Sequence, residues 1–110
     1  MSMDPKCVFC QIASGEIETK LVDSSKHCIA FNDRTPRQPV HILVVPREHY
    51  VDVSELALKN PEVMADLMAL GAKVAAEQTH GSHRFTFNTG AEAGQSVFHA
   101  HGHITSVKAK

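Results

Sequence analysis

The feature that most constrains this chain is a run near its end in which three histidines, His99, His101 and His103, alternate with single small residues. Successive side chains of a β-strand point to opposite faces of the sheet, so residues two apart share a face. The run therefore predicts a last strand, over about residues 97–107, with three imidazoles in a row. Each buried ring nitrogen needs a hydrogen-bond partner, so such a row fills a core poorly. The row therefore indicates a functional site. The alternatives are a solvated strand face and a chance cluster of histidines.

The rest of the chain is predicted to supply four more strands and two helices. The strands are expected over residues 20–23, 28–32, 41–46 and 84–88, and a short helix over 8–14. The segment 41–46 is apolar after its first residue and ends at Pro46, which is typical of a strand buried on both faces.

A long helix is predicted over Pro61–His80. Asn60 suits its N-cap, Pro61 its first turn and Gly81 the position after its end. Its expected apolar face consists of Val63, Leu67, Leu70 and Val74, widened by Met64 and Met68. Gly71 weakens a helix by about 1 kcal/mol relative to alanine. Its use is close packing, against either a second copy of the chain or the chain's own sheet.

This order of elements predicts an α+β fold. We expect a mostly antiparallel sheet of about five strands with one long and one short helix, forming a single domain over residues 1–110.

Composition excludes several classes of partner. Lys and Arg total 11 and Asp and Glu total 12, for a formal charge of -1, so the basic excess of a nucleic-acid binder is missing. No apolar run approaches the roughly 18 residues of a membrane span, and no signal peptide is visible at the N-terminus. The expected location is therefore the cytoplasm, with no membrane and no nucleic-acid partner.

Two of the three cysteines, Cys7 and Cys10, are separated by two residues. This spacing lets two thiolates hold one tetrahedral ion, but the pair is only half a site. The alternatives to a metal site are a redox-active cysteine pair and two reduced thiols without a metal. Cys28 is expected to be a buried strand residue.

Several segments resemble one known family. Gln95–Ile104 resembles the signature of the histidine triad (HIT) superfamily, in which three histidines alternate with apolar residues. The segments Cys7–Cys10, Ala30–Asp33, Leu43–His49 and Asn88–Gly90 also resemble its Hint branch, the purine nucleoside phosphoramidases, in the same order along the chain. The resemblance implies a HIT-like fold and a nucleotide hydrolase.

The resemblance assigns catalytic roles around the triad. It implies that His101 is the nucleophile and forms a nucleotidyl-histidine that water hydrolyses. His103 is expected to donate to the phosphate or near the bridging atom, where charge develops. Ser96 and Gln95 are expected beside the phosphate and leaving group. Gly94 permits close approach of the loop that carries them.

The resemblance also assigns nucleotide-binding and metal-binding residues. Asp33 would accept hydrogen bonds from the ribose, Phe9 and Phe31 would line the base pocket, and Asn88 would lie beside the phosphate. Taken from the residues alone, both phenylalanines suit a core, and Asn88 suits a turn. The implied ligands of a structural zinc ion are Cys7, Cys10, His49 and His99. The other four histidines, His27, His41, His80 and His83, receive no role.

The substrate expected from the resemblance is a purine nucleoside 5'-phosphoramidate. The alternatives are a dinucleoside polyphosphate or adenylyl sulfate hydrolase, or a non-catalytic nucleotide-binding adaptor. A homodimer is expected, paired through the Asn60–Gly81 helix and the Arg84–Asn88 strand. Three features depart from the Hint pattern: Gly102, which should loosen the back of the strand, Asn32 with Arg34, and the missing tryptophan-containing tail.

Overall fold

Five strands form one antiparallel sheet in the structure, a computed structural model that describes residues 4–110. The strands are β1 (Leu21–Ser24), β2 (Cys28–Asn32), β3 (Val40–Pro46), β4 (Arg84–Thr86) and β5 (Gly102–Ser106), in the spatial order β1-β2-β3-β5-β4. All four neighbouring pairs are antiparallel. The predicted α+β class and five-stranded sheet are confirmed. The first three residues of the predicted 1–110 domain lie outside the described range.

Three α-helices flank this sheet, where one long and one short helix were predicted. They are α1 (Val8–Ala13), α2 (Val53–Lys59) and α3 (Pro61–Gln78), followed by a 3₁₀ turn at Ala91–Ala93. None of the helices within residues 4–110 is long and apolar enough to cross a membrane.

The helix α2 was missed because its N-terminal signal was overlooked. The Asp52 carboxylate accepts the Glu55 N–H at 2.8 Å, and the Glu55 carboxylate accepts the Val51 N–H at 2.8 Å. The pair resembles a capping box, except that Glu55 accepts the N–H of the residue before the N-cap; an acidic residue followed three positions later by a glutamate can signal such a start in a sequence. α2 buries only Leu56, so its apolar periodicity is weak.

The predicted boundaries and core face of α3 largely hold. The Asn60 side chain caps the first turn by accepting the Val63 N–H. The predicted face is buried at Val63, Leu67, Leu70 and Val74, whereas Met68 is 43% exposed. The helix ends at Gln78, where the backbone of Thr79 becomes extended and both its N–H and its hydroxyl donate to the Ala75 carbonyl.

β3 runs through the middle of the sheet and is buried along its whole length. Ile42 and Val44 belong to the core beneath α3, while Leu43 and Val45 belong to a second core that contains Phe9 of α1. This alternation between two apolar layers explains why β3 lacks a polar face.

The last strand is shorter than predicted. β5 begins at Gly102, so His99 and His101 precede it. The side chains nevertheless alternate between the two faces of the sheet as predicted, because Ala100 and Ile104 are buried in the core beneath α3.

The ladder between β3 and β5 stops for a backbone reason. Its last pair is Val44 with Gly102, and Pro46, two residues further along β3, has no N–H to donate. The Ala100 N–H instead donates to the Tyr50 carbonyl at 2.7 Å. The backbone of the histidine run is therefore held by the chain that leaves β3.

Two glycines accommodate one aromatic ring. A Cβ atom added at Gly71 or at Gly102 would overlap the ring of Phe85, and at Gly102 also that of Phe87. Gly71 therefore packs against the chain's own sheet, which was one of the two predicted uses. The expectation that Gly102 loosens the back of the strand is wrong, because the two rings fill that space.

We predict that Gly102→Ala lowers the free energy of unfolding by about 1–3 kcal/mol, because the added methyl group overpacks a filled region. Urea denaturation measures this loss. In a double-mutant cycle, Phe85→Leu should cost less in the Gly102→Ala background than in the native chain, because the smaller side chain makes room. Strictly additive effects would contradict the packing described here.

Candidate active site

A cavity of about 840 Å³ opens on the α1 side of the sheet. It brings together most of the residues that the sequence analysis assigned to catalysis and nucleotide binding. These are Phe9, Phe31, Asp33, Asn88, Gly94, Ser96, His101 and His103. His99 is fully buried and faces a separate cluster described below. The three imidazoles thus divide between two sites.

His101 is held with one specific ring nitrogen free. Its Nδ1 lies 2.6 Å from the carbonyl oxygen of His99. A carbonyl can only accept, so Nδ1 carries the proton and, in the neutral ring, Nε2 keeps a lone pair. Burial lowers the pKa of His101, which favours the neutral ring. A free imidazole nitrogen at a cavity wall has the character of a nucleophile.

His103 is held in the opposite tautomer through His41. The Arg37 backbone N–H donates to His41 Nδ1 at 3.1 Å, so the His41 proton is on Nε2. That nitrogen lies 2.9 Å from His103 Nδ1 and 3.3 Å from an Asp33 carboxylate oxygen. His103 Nδ1 therefore accepts, and its own proton is on Nε2.

The two neighbouring rings thus offer a lone pair and a donor. The His101 and His103 ring centroids are 5.0 Å apart. Burial, together with the nearby His101 and His41 rings, lowers the pKa of His103 to about 4. As a neutral donor, His103 can stabilise charge on a phosphoryl oxygen or a departing atom.

The group formed by Asp33, His41 and His103 is spaced closely enough to hold a metal ion. The hydrogen bonds argue against that use, because His41 Nε2 carries a proton while Arg37 N–H occupies Nδ1. A metal ligand needs a free lone pair. The arrangement is better described as a hydrogen-bond relay that orients His103.

A second cluster consists of Cys7, Cys10, His49 and His99, and His99 is the first of the three alternating histidines. The His99 Nδ1 lies 3.3 Å from the Cys7 sulfur and 3.4 Å from the Cys10 sulfur, and the His49 Nδ1 lies 3.4 Å from the Cys10 sulfur. All four ligand atoms are within 4.8 Å of one another. Bond lengths of about 2.3 Å to sulfur and 2.0–2.1 Å to nitrogen give a tetrahedral zinc site S···N edges of about 3.5 Å. The donor set and its spacing fit zinc.

The protonation pattern of this cluster also suits a metal. The His99 Nε2 lies 2.8 Å from the Pro46 carbonyl, so it carries the proton and leaves Nδ1 facing the sulfurs. An outward N–H bond of this kind orients metal-binding histidines in general. Burial raises the pKa of the Cys10 thiol to about 11 without a cation, so metal binding would displace a proton there.

The loop before the triad is fixed by Gln95. Its side-chain oxygen accepts the Gly90 N–H, and its amide donates to the carbonyls of Val51 and Val97. The side chain is buried and holds the loop against the start of α2. Its predicted contact with substrate remains a prediction.

The other loop residues are positioned to face the cavity. The Asn88 amide donates to the Ala93 carbonyl at 2.9 Å, so it acts in the turn while lining the cavity. Gly94 has a φ of 93°, which disfavours a residue with a side chain. Ser96 is exposed and lines the cavity, so its hydroxyl is accessible to a ligand.

One end of the cavity is apolar. Phe9 and Phe31 are buried members of the second core, their rings 5.8 Å apart, and both also line the cavity. They combine the core role and the pocket role that the sequence analysis kept open. Asp33 lies nearby, with one oxygen accepting the Thr35 N–H at 2.8 Å and the other next to His41.

The comparisons with known proteins identify the family. A family model described as the scavenger mRNA decapping enzyme C-terminal binding domain matches residues 6–110. A HIT-like protein of Azospirillum brasilense is 38% identical over 92% of this chain and 85% of its own length. A histidine triad protein from Clostridium difficile superposes with a TM-score of 0.87 at 35% identity, covering 100% of this chain and 94% of that one. The chain belongs to the HIT superfamily.

The solved HIT structures also agree with the architecture. A HIT family hydrolase from Clostridium thermocellum superposes with a TM-score of 0.87 at 33% identity, over 94% of this chain and 91% of that one. These relatives make this HIT protein a member of a hydrolase and nucleotide-binding superfamily.

His41 is the residue of this HIT domain that sequence reasoning missed. It is the second residue of β3, a strand that was predicted from its apolar residues, and its partner His103 is 62 positions away. The register of the sheet pairs His41 with Thr105 and Leu43 with His103. Its phase with Leu43 and Val45 could have indicated which face of β3 it shares, but not that it pairs with His103.

We predict that His41→Phe lowers kcat by about 10- to 100-fold, because His103 loses the donor that fixes its tautomer. His41→Gln, which keeps an N–H donor, should lose less. Nitrogen-15 NMR of the His103 ring should show a mixed tautomer in His41→Phe. The exposed His80→Gln serves as control. An unchanged kcat with an unchanged His103 spectrum would refute the relay.

Proposed function

We propose that this HIT protein hydrolyses purine nucleoside 5'-phosphoramidates through a nucleotidyl-histidine on His101. The observation that carries the proposal is the 2.6 Å contact between His101 Nδ1 and the His99 carbonyl, which leaves Nε2 as the free nitrogen. This nucleophile lies in the wall of a cavity that has aromatic side chains at one end and hydrogen-bond donors beside it.

In the first step, the His101 Nε2 lone pair forms a bond to phosphorus as the P–N bond of the substrate breaks. The departing nitrogen takes the bonding pair and a proton from solvent, and leaves as the free amine. The neutral His103 would donate a hydrogen bond in this region through Nε2–H and keep its proton. The His101 Nδ1–H bond to the His99 carbonyl stabilises the positive charge that develops on the ring.

In the second step, water attacks the nucleotidyl-histidine. Its oxygen bonds to phosphorus, the P–Nε2 bond breaks, and the pair returns to Nε2. One proton of the water replaces the one taken by the amine, so the products are the amine and a nucleoside monophosphate. Two easier substitutions thereby replace one difficult substitution.

We predict that His101→Asn lowers turnover of an AMP–amine conjugate by several orders of magnitude while the fold is retained. Steady-state rates and circular dichroism measure the two effects. Ser96→Ala should retain the nucleophile and lose roughly 10- to 100-fold, because only a hydrogen bond is removed. A His101→Asn rate close to the native rate would exclude the covalent route.

Two other functions share this site. A dinucleoside polyphosphate or adenylyl sulfate would place a P–O bond at His101 instead of a P–N bond, and the two arginines in the cavity wall favour an anionic substrate. A non-catalytic adaptor would bind nucleotide without turnover. Assay of the native chain against AMP–amine conjugates, dinucleotides and adenylyl sulfate separates these cases, since an adaptor would hydrolyse none of them.

We also propose a structural zinc ion held by Cys7, Cys10, His49 and His99. The support is the convergence of four ligand atoms and the outward bond of His99 to Pro46. The ion would join α1 to the end of β3 and to the catalytic run. It would supply rigidity, because no position of the cluster faces the cavity as a metal-bound water would need to.

We predict about one zinc per chain in protein purified without chelator or added metal. Cys10→Ser should lose the metal and lower the melting temperature, because the four-ligand site is broken. Cys28→Ala is the matched control, since Cys28 lies in the other core and should leave the zinc content unchanged. Metal-free native protein with freely titrating thiols would overturn the assignment.

We propose in addition that the chain forms a homodimer through α3 and β4. β4 is three residues long and lies at the edge of the sheet, so its outer side can pair with a second copy. Met68, exposed on α3, would extend the contact. Gly71 takes no part in this surface, because Phe85 of the same chain covers it.

A further inference from the structure

Two arginines in the cavity wall have no role in the chemistry described so far. Arg34 and Arg37 lie on the loop between β2 and β3, and both line the same cavity as His101 and His103. Among residues 4–110, the ion pairs found involve neither of them. Arg37 also acts electrostatically on His103, whose pKa it helps to lower after burial and the neighbouring histidines. Arg37 therefore acts electrostatically on His103, and Arg34 lines the same cavity.

The loop that carries them is held in place. The Asp33 N–H donates to the His41 carbonyl at 2.9 Å, and the Thr35 N–H donates to the Asp33 carboxylate at 2.8 Å. The Arg37 N–H donates to His41 Nδ1 at 3.1 Å. Pro36 and Pro39 further restrict the backbone on either side of Arg37. The backbone that carries both arginines is thus held relative to the His41–His103 pair, while the two arginine side chains are exposed.

The two arginines of the cavity wall are not paired with its carboxylates. Among the described residues that line the cavity, Arg34 and Arg37 are the only lysines or arginines, and Asp33 and Glu18 are the only carboxylates. Asp33 is bonded to Thr35 and His41, and no ion pair within residues 4–110 joins Asp33 or Glu18 to either arginine. A planar guanidinium suits bidentate binding of phosphate.

We propose that Arg34 and Arg37 form a second anion subsite, which binds a phosphate of the substrate other than the one attacked by His101. The inference rests on the proposed function and specifies its substrate class. The cavity, at about 840 Å³, lies in the upper part of the roughly 300–1,000 Å³ range of ligand pockets, so it has room for more than a nucleoside monophosphate. The second phosphate belongs either to the ribose or to the leaving group.

The test measures binding separately from turnover. Calorimetric titration of the full chain compares AMP with three ligands that carry one more phosphate: adenosine 2',5'-bisphosphate, adenosine 3',5'-bisphosphate and ADP. The native protein should bind at least one of the three about tenfold or more tightly than AMP, and this preference should weaken with added salt. A preference for either bisphosphate locates the phosphate on the ribose, and a preference for ADP locates it on the leaving-group side.

Arg34→Gln/Arg37→Gln should reduce this preference to near unity while AMP binding changes less. Lys26→Gln/Lys59→Gln removes the same net charge from exposed positions outside the cavity wall and should retain the preference. Equal affinity of the native chain for AMP and all three ligands would overturn the subsite, as would a preference that survives loss of both arginines.

The same proteins are assayed for AMP–amine hydrolysis. Hydrolysis without any phosphate preference overturns the subsite alone. A phosphate preference that depends on the two arginines, without turnover of any candidate substrate, supports the subsite and overturns the proposed hydrolysis.

Discussion

The hydrogen bond from His101 Nδ1 to the carbonyl oxygen of His99 determines what the rest of the site can do. At 2.6 Å and buried, it commits the proton of His101 to one nitrogen and leaves the other as a lone pair. The Ala100 N–H donates to the Tyr50 carbonyl. The His99 carbonyl, which belongs to the same peptide group and points the opposite way, accepts from the side chain two residues later.

The position of that carbonyl depends in turn on the cysteine and histidine cluster. The side chain of His99 is anchored by the Pro46 carbonyl and two sulfurs, and the next N–H is anchored by Tyr50. A structural metal at this cluster would therefore act on catalysis through the backbone of His99. His103 is oriented from the other side, through His41 and the β2–β3 loop. The two neighbouring rings thus acquire opposite chemical roles, His101 from the backbone carbonyl of His99 and His103 from the side chain of His41.

Sequence reasoning predicted most of the parts of this molecule that depend on local pattern, with α2 and its Asp52 cap as the exception. The alternation around the histidines, the burial of β3 and the cap at Asn60 are local signals, and each is present in the structure. The start of β5 was misplaced because it depends on Pro46, a residue of another strand. His41 was missed, and Gly102 misjudged, because the first pairs with His103 across the sheet and the second packs under Phe85. Contacts between distant segments decide both, and they cannot be read from spacing along the chain.

If the free Nε2 of His101 attacks phosphorus, that nitrogen carries the nucleotide during turnover. To test this, the native protein is quenched during turnover of an AMP–amine conjugate and digested at alkaline pH, and mass spectrometry and phosphorus NMR determine which ring nitrogen carries the nucleotide. We expect AMP attached to Nε2 of His101. Attachment to Nδ1 of that ring, or to any other residue, would contradict it.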